Sequence, residues 1–162
     1  MDIYKTYVRP LLEYNSQVWS PYLIADIDNV EKVQRFFTKR LPGMWNIPYQ
    51  ERLNVLELKS LEVRRIEYDL ILLYKFVNGL VDMDSDGFFS YDQNNTRGHT
   101  SRINIQSSRL NCRKYFFINR TAPVWNALPP RLIENSCIGK FKSDLKNMDL
   151  SMYCRGRAHT AE

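Results

Sequence analysis

The chain is short of the residues that staple, ligate or catalyse. Its 162 residues include only three cysteines, two histidines and six glycines. Cys112, Cys137 and Cys154 form an odd set with no C-x-x-C pair, which excludes both a disulfide framework and a cysteine-rich zinc site. Neither His99 nor His159 lies beside a nucleophile elbow or an oxyanion loop, so nucleophilic catalysis has no foothold. There is no Walker loop and no Gly-x-Gly-x-x-Gly, hence no nucleotide-phosphate cradle of either common kind. No run of about 18 consecutive apolar residues occurs, which rules out a membrane-spanning helix. Residues 1–10 are mixed charged and aromatic rather than a signal segment, so the expected location is cytoplasmic or nuclear, not secreted.

What is present is an ordinary globular balance: 44% hydrophobic, 13% aromatic and 25% charged residues. That composition excludes disorder and predicts one domain or two small ones. The net charge of +5 is uneven. Residues 1–93 carry 11 Lys/Arg against 14 Asp/Glu, a net of −3, whereas residues 94–162 carry 12 against 4, a net of +8. A basic second half is suited either to a polyanion such as nucleic acid or to a plain solvated face.

Apolar residues at spacings of three and four mark the helices. Tyr4, Tyr7, Val8, Leu11 and Leu12 make one face over residues 3–12, with a kink expected at Pro10. Ile24, Ile27, Val30, Val33, Phe37 and Leu41 make the next, with Glu31, Lys32, Arg35, Lys39 and Arg40 on its polar side. Asp26 and Asp28 at its start and cations at its end suit the helix dipole, and Pro42-Gly43 stops it. A loop holding Trp45 leads to a short helix over 49–56. Ser60 then caps a long helix over 61–78, ended by Gly79. This helix is apolar on most of its faces, which predicts a buried central element. Residues 80–100 read as a loop, 102–106 as a short strand, 111–128 as a helix with Pro123 inside it, and 137–148 as a last helix capped by Ser136. The stretch from Ser151 has no pattern and is expected to fray. The predicted fold class is mainly α, with at most a short β element.

Three constellations resemble chemistry and fall short of it. Asp82-x-Asp84-x-Asp86-Gly87 opens like a calcium loop, but its twelfth position is Gln93, which supplies no bidentate carboxylate; a solvated acidic loop is the better reading. Glu57-x-Lys59 resembles the end of a metal-dependent nuclease site and reads better as a turn between two helices. Cys154 and His159 are half of a zinc knuckle whose other ligands are missing. The chemistry that remains is a basic, aromatic-interleaved stretch over 97–120, containing Arg97, His99, Arg102, Arg109, Arg113, Lys114 and Arg120. Its cations suit phosphates, whereas the spacing of Phe116, Phe117 and Trp125 suits burial.

The order of particular residues adds a family resemblance. Tyr4-Lys5-Thr6-Tyr7-Val8-Arg9-Pro10-Leu11-Leu12-Glu13-Tyr14, continuing to Val18-Trp19-Ser20-Pro21-Tyr22, resembles the segment after the palm in reverse transcriptases of LINE-type (non-LTR) retrotransposons of the jockey kind. The stretch Glu31-Lys32-Val33-Gln34-Arg35-Phe36-Phe37-Thr38-Lys39 is similar to the helix that follows in that family, with Phe36 where a second basic residue is common. Arg52-Leu53, Leu56-Glu57-Leu58, Ser60-Leu61-Glu62 and Arg64-Arg65 fit its next two helices. Thr96-Arg97-Gly98-His99, Ser108-Arg109-Leu110, Phe116-Phe117, Arg120, Val124-Trp125-Asn126 with Leu128-Pro129, and Phe141-Lys142 follow in order.

The resemblance implies a thumb-like helical domain over 1–79 and a basic C-terminal helical segment over 101–148, which the residue pattern separates by an acidic and polar loop over 80–100 and follows with a frayed tail over 149–162. It also implies a non-catalytic part of an RNA-directed DNA polymerase. The paired palm carboxylates that hold two divalent metals in such enzymes are missing, since no Asp-Asp pair occurs, so no cofactor is expected in this chain. Expected partners are RNA, an RNA–DNA duplex and the palm and fingers of the parent polymerase. Expected phosphate contacts are Lys32, Arg35, Lys39 and Arg40 on one helix, and Arg97, Arg102, Arg109, Arg113, Lys114 and Arg120 on a second surface. The residues leave open a different class of function, a helical protein-interaction module or inert remnant with no nucleic-acid binding. In that case the exposed apolar face would lie around Tyr4, Tyr7, Leu11 and Trp19.

Overall fold

The computed structural model describes residues 1–82, 89–92, 101–135 and 137–156, and the fold is mainly α. The chain divides into two units, Met1–Arg65 with the stretch that begins at Leu150, and Ile66–Asp149. The boundary between the two units lies inside the long helix, between Arg65 and Ile66.

The first unit opens with a π-helical turn, Tyr4–Val8, that passes into α1 (Arg9–Glu13). Pro10 lies inside the continuous helical run and can donate no N–H to the preceding turn; the Arg9 N–H bonds the Tyr4 carbonyl, and the expected kink takes the form of a π-to-α change. Next come α2 (Ser16–Trp19), α3 (Ile24–Lys39), α4 (Tyr49–Val55) and the first turn of α5 (Leu61–Val77). Tyr4, Ile27, Leu53, Leu58 and Leu61 are buried, and the Tyr4 ring stacks on Phe37 at 4.8 Å.

A polar network runs through this core. Glu31, only 1% exposed, accepts the Tyr49 hydroxyl at 2.5 Å and the Leu61 backbone N–H at 3.0 Å. A side chain of α3 thereby satisfies an orphan amide at the start of α5, where the helix dipole favours a carboxylate. Ser60 also caps α5 as predicted, its Oγ accepting the Val63 N–H at 3.3 Å. Gln34 joins the rest, accepting the Tyr4 hydroxyl at 2.7 Å and donating to Tyr49 at 3.0 Å and to the Lys59 carbonyl at 3.1 Å. Burial pushes the Glu31 carboxyl above the usual carboxylate range. Burial, reinforced by the Glu31 charge, pushes the Tyr4 and Tyr49 hydroxyls up, so they stay donors.

The tail is docked where fraying is expected. Leu150 is buried, Ser151–Tyr153 form a 3-10 turn, and the Glu62 carboxylate accepts the backbone N–H groups of Arg155 at 2.7 Å and Gly156 at 2.9 Å. Gly156 has no room for a side chain: a Cβ there would lie 2.6 Å from Ile27 Cγ2 and 2.8 Å from Glu62 Oε2. Backbone amides carry no hydrophobic period, so this docking leaves no sequence signature.

In the second unit, the rest of α5 buries Leu70, Leu73 and Tyr74 and ends at Gly79, whose φ of +63° lets the Leu80 N–H close onto the Lys75 carbonyl at 2.8 Å. The short β element is an isolated antiparallel bridge, Tyr91 with Ile103. The Asn126 side chain substitutes for a further strand, accepting the Ile103 N–H at 2.9 Å and donating to its carbonyl at 2.8 Å. Helices α6 (Asn111–Lys114), α7 (Phe117–Ala127), α8 (Pro130–Ile133) and α9 (Ile138–Lys146) complete the unit.

The single helix predicted over 111–128 is therefore split, with Phe116 extended between α6 and α7. Side chains of α7 take up carbonyls freed at the break, Asn119 donating to Arg113 at 2.9 Å and Arg120 to Tyr115 at 3.3 Å. Trp125 is fully buried with its indole N–H on the Ser101 carbonyl at 2.9 Å, and Tyr74 stacks on Phe141 of α9 at 4.2 Å. Cys137 occupies the N-cap of α9, and Ser136, the expected cap, lies outside the described residues.

Candidate nucleic-acid interface

Helix α3 has two chemically distinct sides. Ile27, Glu31, Gln34 and Thr38 face inward and are buried. Lys32, Phe36, Lys39 and Arg40 recur at steps of four, three and one, which a 3.6-residue period gathers on the other side, and all four are exposed. The Arg40 guanidinium sits 3.3 Å from the Phe36 ring centre. The chain then turns through 42–48 and returns Trp45 to the helix, its ring 4.7 Å from the Lys39 ammonium. Phe36 is 60% and Trp45 66% exposed, so a large part of each ring is open to solvent.

Lys32 bonds Asn29 Oδ1 at 2.8 Å. None of Lys32, Lys39 and Arg40 is bridged to a carboxylate among the described residues. Arg35 differs from its neighbours: it is half-buried, its guanidinium lies 4.9 Å above the Tyr49 ring, and its charge acts on the buried Glu31.

The second unit sorts its cations in the same way. Arg109, Arg113 and Lys114 are exposed on the approach to α6 and in its last turn, where cations complement the helix C-terminus. Arg113 bonds Gln106 Oε1 at 3.0 Å, and Lys114 lies 5.5 Å from the Tyr115 ring. Arg102 is half-buried beside the β bridge with its Nε enclosed. Arg120 is a structural residue: Nε and Nη2 form a bidentate pair with Asp69 at 2.8 and 3.0 Å, with side chains 16% and 7% exposed. The donor fork expected to meet a phosphate is held by an internal carboxylate. Arg97 and His99 lie outside the described residues. Phe117 and Trp125 are buried as their spacing predicts, whereas Phe116 is exposed.

Sequence reasoning does not single out Phe36 and Trp45 as site residues. The signal for Phe36 is its position off the apolar stripe, where a basic residue is common in the resembled family. Trp45 carries only the hint of an aromatic residue in a proline-bounded loop.

Glu57 is exposed with a φ of +51° in the turn after α4, and Asp82 is exposed while Asp84 and Asp86 lie outside the described residues. The Cys154 thiol contacts the Leu150 carbonyl at 3.8 Å, and His159 is outside the described residues. Among the described residues no three His, Cys, Asp or Glu groups converge as a metal site, and no helix is long and apolar enough to cross a membrane.

The face expected to be exposed around Tyr4, Tyr7, Leu11 and Trp19 is partly so. Tyr4 is buried, while Tyr7, Leu11 and Trp19 are exposed along with Ile3, Tyr14 and Val18. Comparison with known proteins finds no matching family model, no similar curated protein and no similar solved structure.

Proposed function

We propose that this chain is a non-catalytic nucleic-acid grip, the thumb and post-thumb region of a LINE-type reverse transcriptase, which holds RNA or an RNA–DNA duplex by its phosphates while another stretch of polypeptide supplies the metal-binding carboxylates. The observation that carries the reading is the outer side of α3, where three cations with no carboxylate partner among the described residues share one helix face. From Lys32 to Arg40 the helix rises about 12 Å at ~1.5 Å per residue. That matches three to four nucleotide steps of ~3.4 Å along one strand. Contacts of this kind position a duplex without reading its sequence. Arg109, Arg113 and Lys114 form the second contact surface. The exposed apolar residues Ile3, Tyr7, Leu11 and Val18 favour a docking role toward the palm of the parent enzyme.

The test is the salt dependence of binding to an RNA–DNA hybrid. Each neutralised phosphate contributes about 0.9 to the slope of log affinity against log salt. Replacing Lys32, Lys39 and Arg40 by alanine should flatten that slope by about 2–3. Replacing Arg109, Arg113 and Lys114 should do the same. Unchanged slopes in both triple variants overturn the proposal, as does metal-dependent nucleotide incorporation by this chain alone. A chain that binds no hybrid at low salt but self-associates is instead a protein-interaction module.

A further inference from the structure

The phosphate reading leaves Phe36 and Trp45 unexplained. A helix that only gripped a duplex backbone would need cations on its outer face, not two large rings presented to water. Singly exposed rings need no explanation, but two of them gathered with cations into one patch mark an interaction site. The charges around them say with what. Lys39 and Arg40 flank the rings and have no carboxylate partner among the described residues, so the patch suits a polyanion. It does not suit an apolar or basic surface.

A ligand that is anionic along its length and also presents flat π-faces is a nucleic acid with its bases unpaired. Duplex bases are stacked on one another and offer a groove-binding helix no free face, whereas a single strand offers one at every nucleotide. The four groups are contiguous. Phe36 and Lys39 are one turn apart on α3, Arg40 lies over Phe36, and Trp45 packs against the Lys39 ammonium. An aromatic ring with a cation on one side and an open side toward solvent is the arrangement that sandwiches a base.

We propose that Phe36 and Trp45 form a stacking platform for unpaired nucleotides, with Lys39 and Arg40 neutralising the phosphates on either side. α3 is then a single-strand contact as well as a duplex contact. This rests on the nucleic-acid reading above and narrows its ligand to a strand that is partly unpaired. Stacking reads the base face and not the sugar, so an RNA and a DNA strand serve alike.

The test compares an adenine-rich 12-mer, as RNA and as DNA, with the blunt RNA–DNA hybrid of the same sequence. Single-strand binding should quench tryptophan emission, and Trp45→Phe should remove that quenching, because Trp125 is buried and Trp19 lies 17 positions before Phe36; Trp19→Phe should leave it intact. The Phe36→Ala, Trp45→Ala double variant should lose about fivefold or more in single-strand affinity, equivalent to the low end of one stacked base. Its affinity for the blunt hybrid should change less than twofold and its salt slope should not change. Both side chains are exposed, so the variant should fold as the parent does, which a thermal melt checks.

If the double variant binds the single strand as well as the parent does, with the salt slope intact, stacking is refuted and the phosphate grip stands. Equal losses for single strand and hybrid refute it as well. If the parent binds neither probe and the double variant abolishes self-association, the patch is a protein-docking surface and both readings fall.

Discussion

Arg120 is the residue on which charge patterning and structure disagree most sharply, and its removal separates them. As a phosphate contact, Arg120→Ala would cost the protein little stability and would flatten the salt slope of hybrid binding by about 1. The structure predicts the reverse. The guanidinium makes two parallel bonds to Asp69 at 2.8 and 3.0 Å and a third to the Tyr115 carbonyl at 3.3 Å. Exposed ion pairs contribute about 0–1 kcal/mol. Breaking a fully buried pair from one side costs about 3–5 kcal/mol, because the remaining charge stays desolvated. With the two side chains 16% and 7% exposed, the pair lies near the buried limit, and a loss of about 2–4 kcal/mol is expected.

For a protein of this size that lowers the melting temperature by about 5–12 °C. Urea unfolding should give a lower midpoint with an unchanged slope. Replacing both partners together, Asp69→Leu with Arg120→Met, should recover more than half of the loss, since no unpaired charge is left inside. Hybrid binding by Arg120→Ala below its melting point should keep the parental salt slope. A loss under about 1 kcal/mol combined with a slope flatter by about 1 would refute this assignment.

Two further perturbations probe the first unit. The Glu31 carboxyl is raised by burial, so the folded protein keeps its proton at pH values where the unfolded chain has released it. The carboxyl therefore favours the folded state most below the ordinary glutamate value of about 4.3. That advantage is lost as pH rises through the elevated folded value. The stability of the parent relative to Glu31→Gln, from urea titrations at a series of pH values, should fall across this window, and a difference that rises would be inconsistent with the buried site. Gly156→Ala should cost about 1–3 kcal/mol, because its methyl group would meet Ile27 and Glu62 well inside contact distance. Amide exchange at Arg155 and Gly156 should speed up with it, and a neutral substitution with unchanged protection would mean that the tail is not docked.

The legible parts of this fold are the ones whose causes are local. Helix α5 is announced at both ends by residues that act within one turn, Ser60 on the Val63 amide and Gly79 in the left-handed conformation that closes the last turn. The buried side of α3 follows from its period, and so does the exposure of Lys32, Lys39 and Arg40. The illegible parts depend on partners far along the chain. Asp69 is 51 residues from Arg120, and nothing in the spacing of either announces the other. The break at Phe116 is sustained by Asn119 and Arg120 reaching back to carbonyls, a role that a helical pattern conceals. Glu62 holds amides more than ninety positions away, and an amide looks the same at every residue.

The same distinction separates the charge of a segment from the charge it presents to solvent. The first 93 residues sum to −3, yet they carry the exposed cations of α3, Lys32 and Lys39, with Arg40 at its end. Much of that negative charge is turned inward: Glu31 to the Leu61 amide and Tyr49, Glu62 to the tail amides, and Glu13 to Arg64. Conversely, Arg120 adds to the +8 of the remainder while facing Asp69 inside the second unit. A bound polyanion responds to the charges left over after internal caps and pairs are satisfied. Lys32, Lys39 and Arg40 are such charges. Glu31, Glu62 and Glu13 already hold backbone amides and an arginine within the first unit, and none of the three bridges Lys32, Lys39 or Arg40.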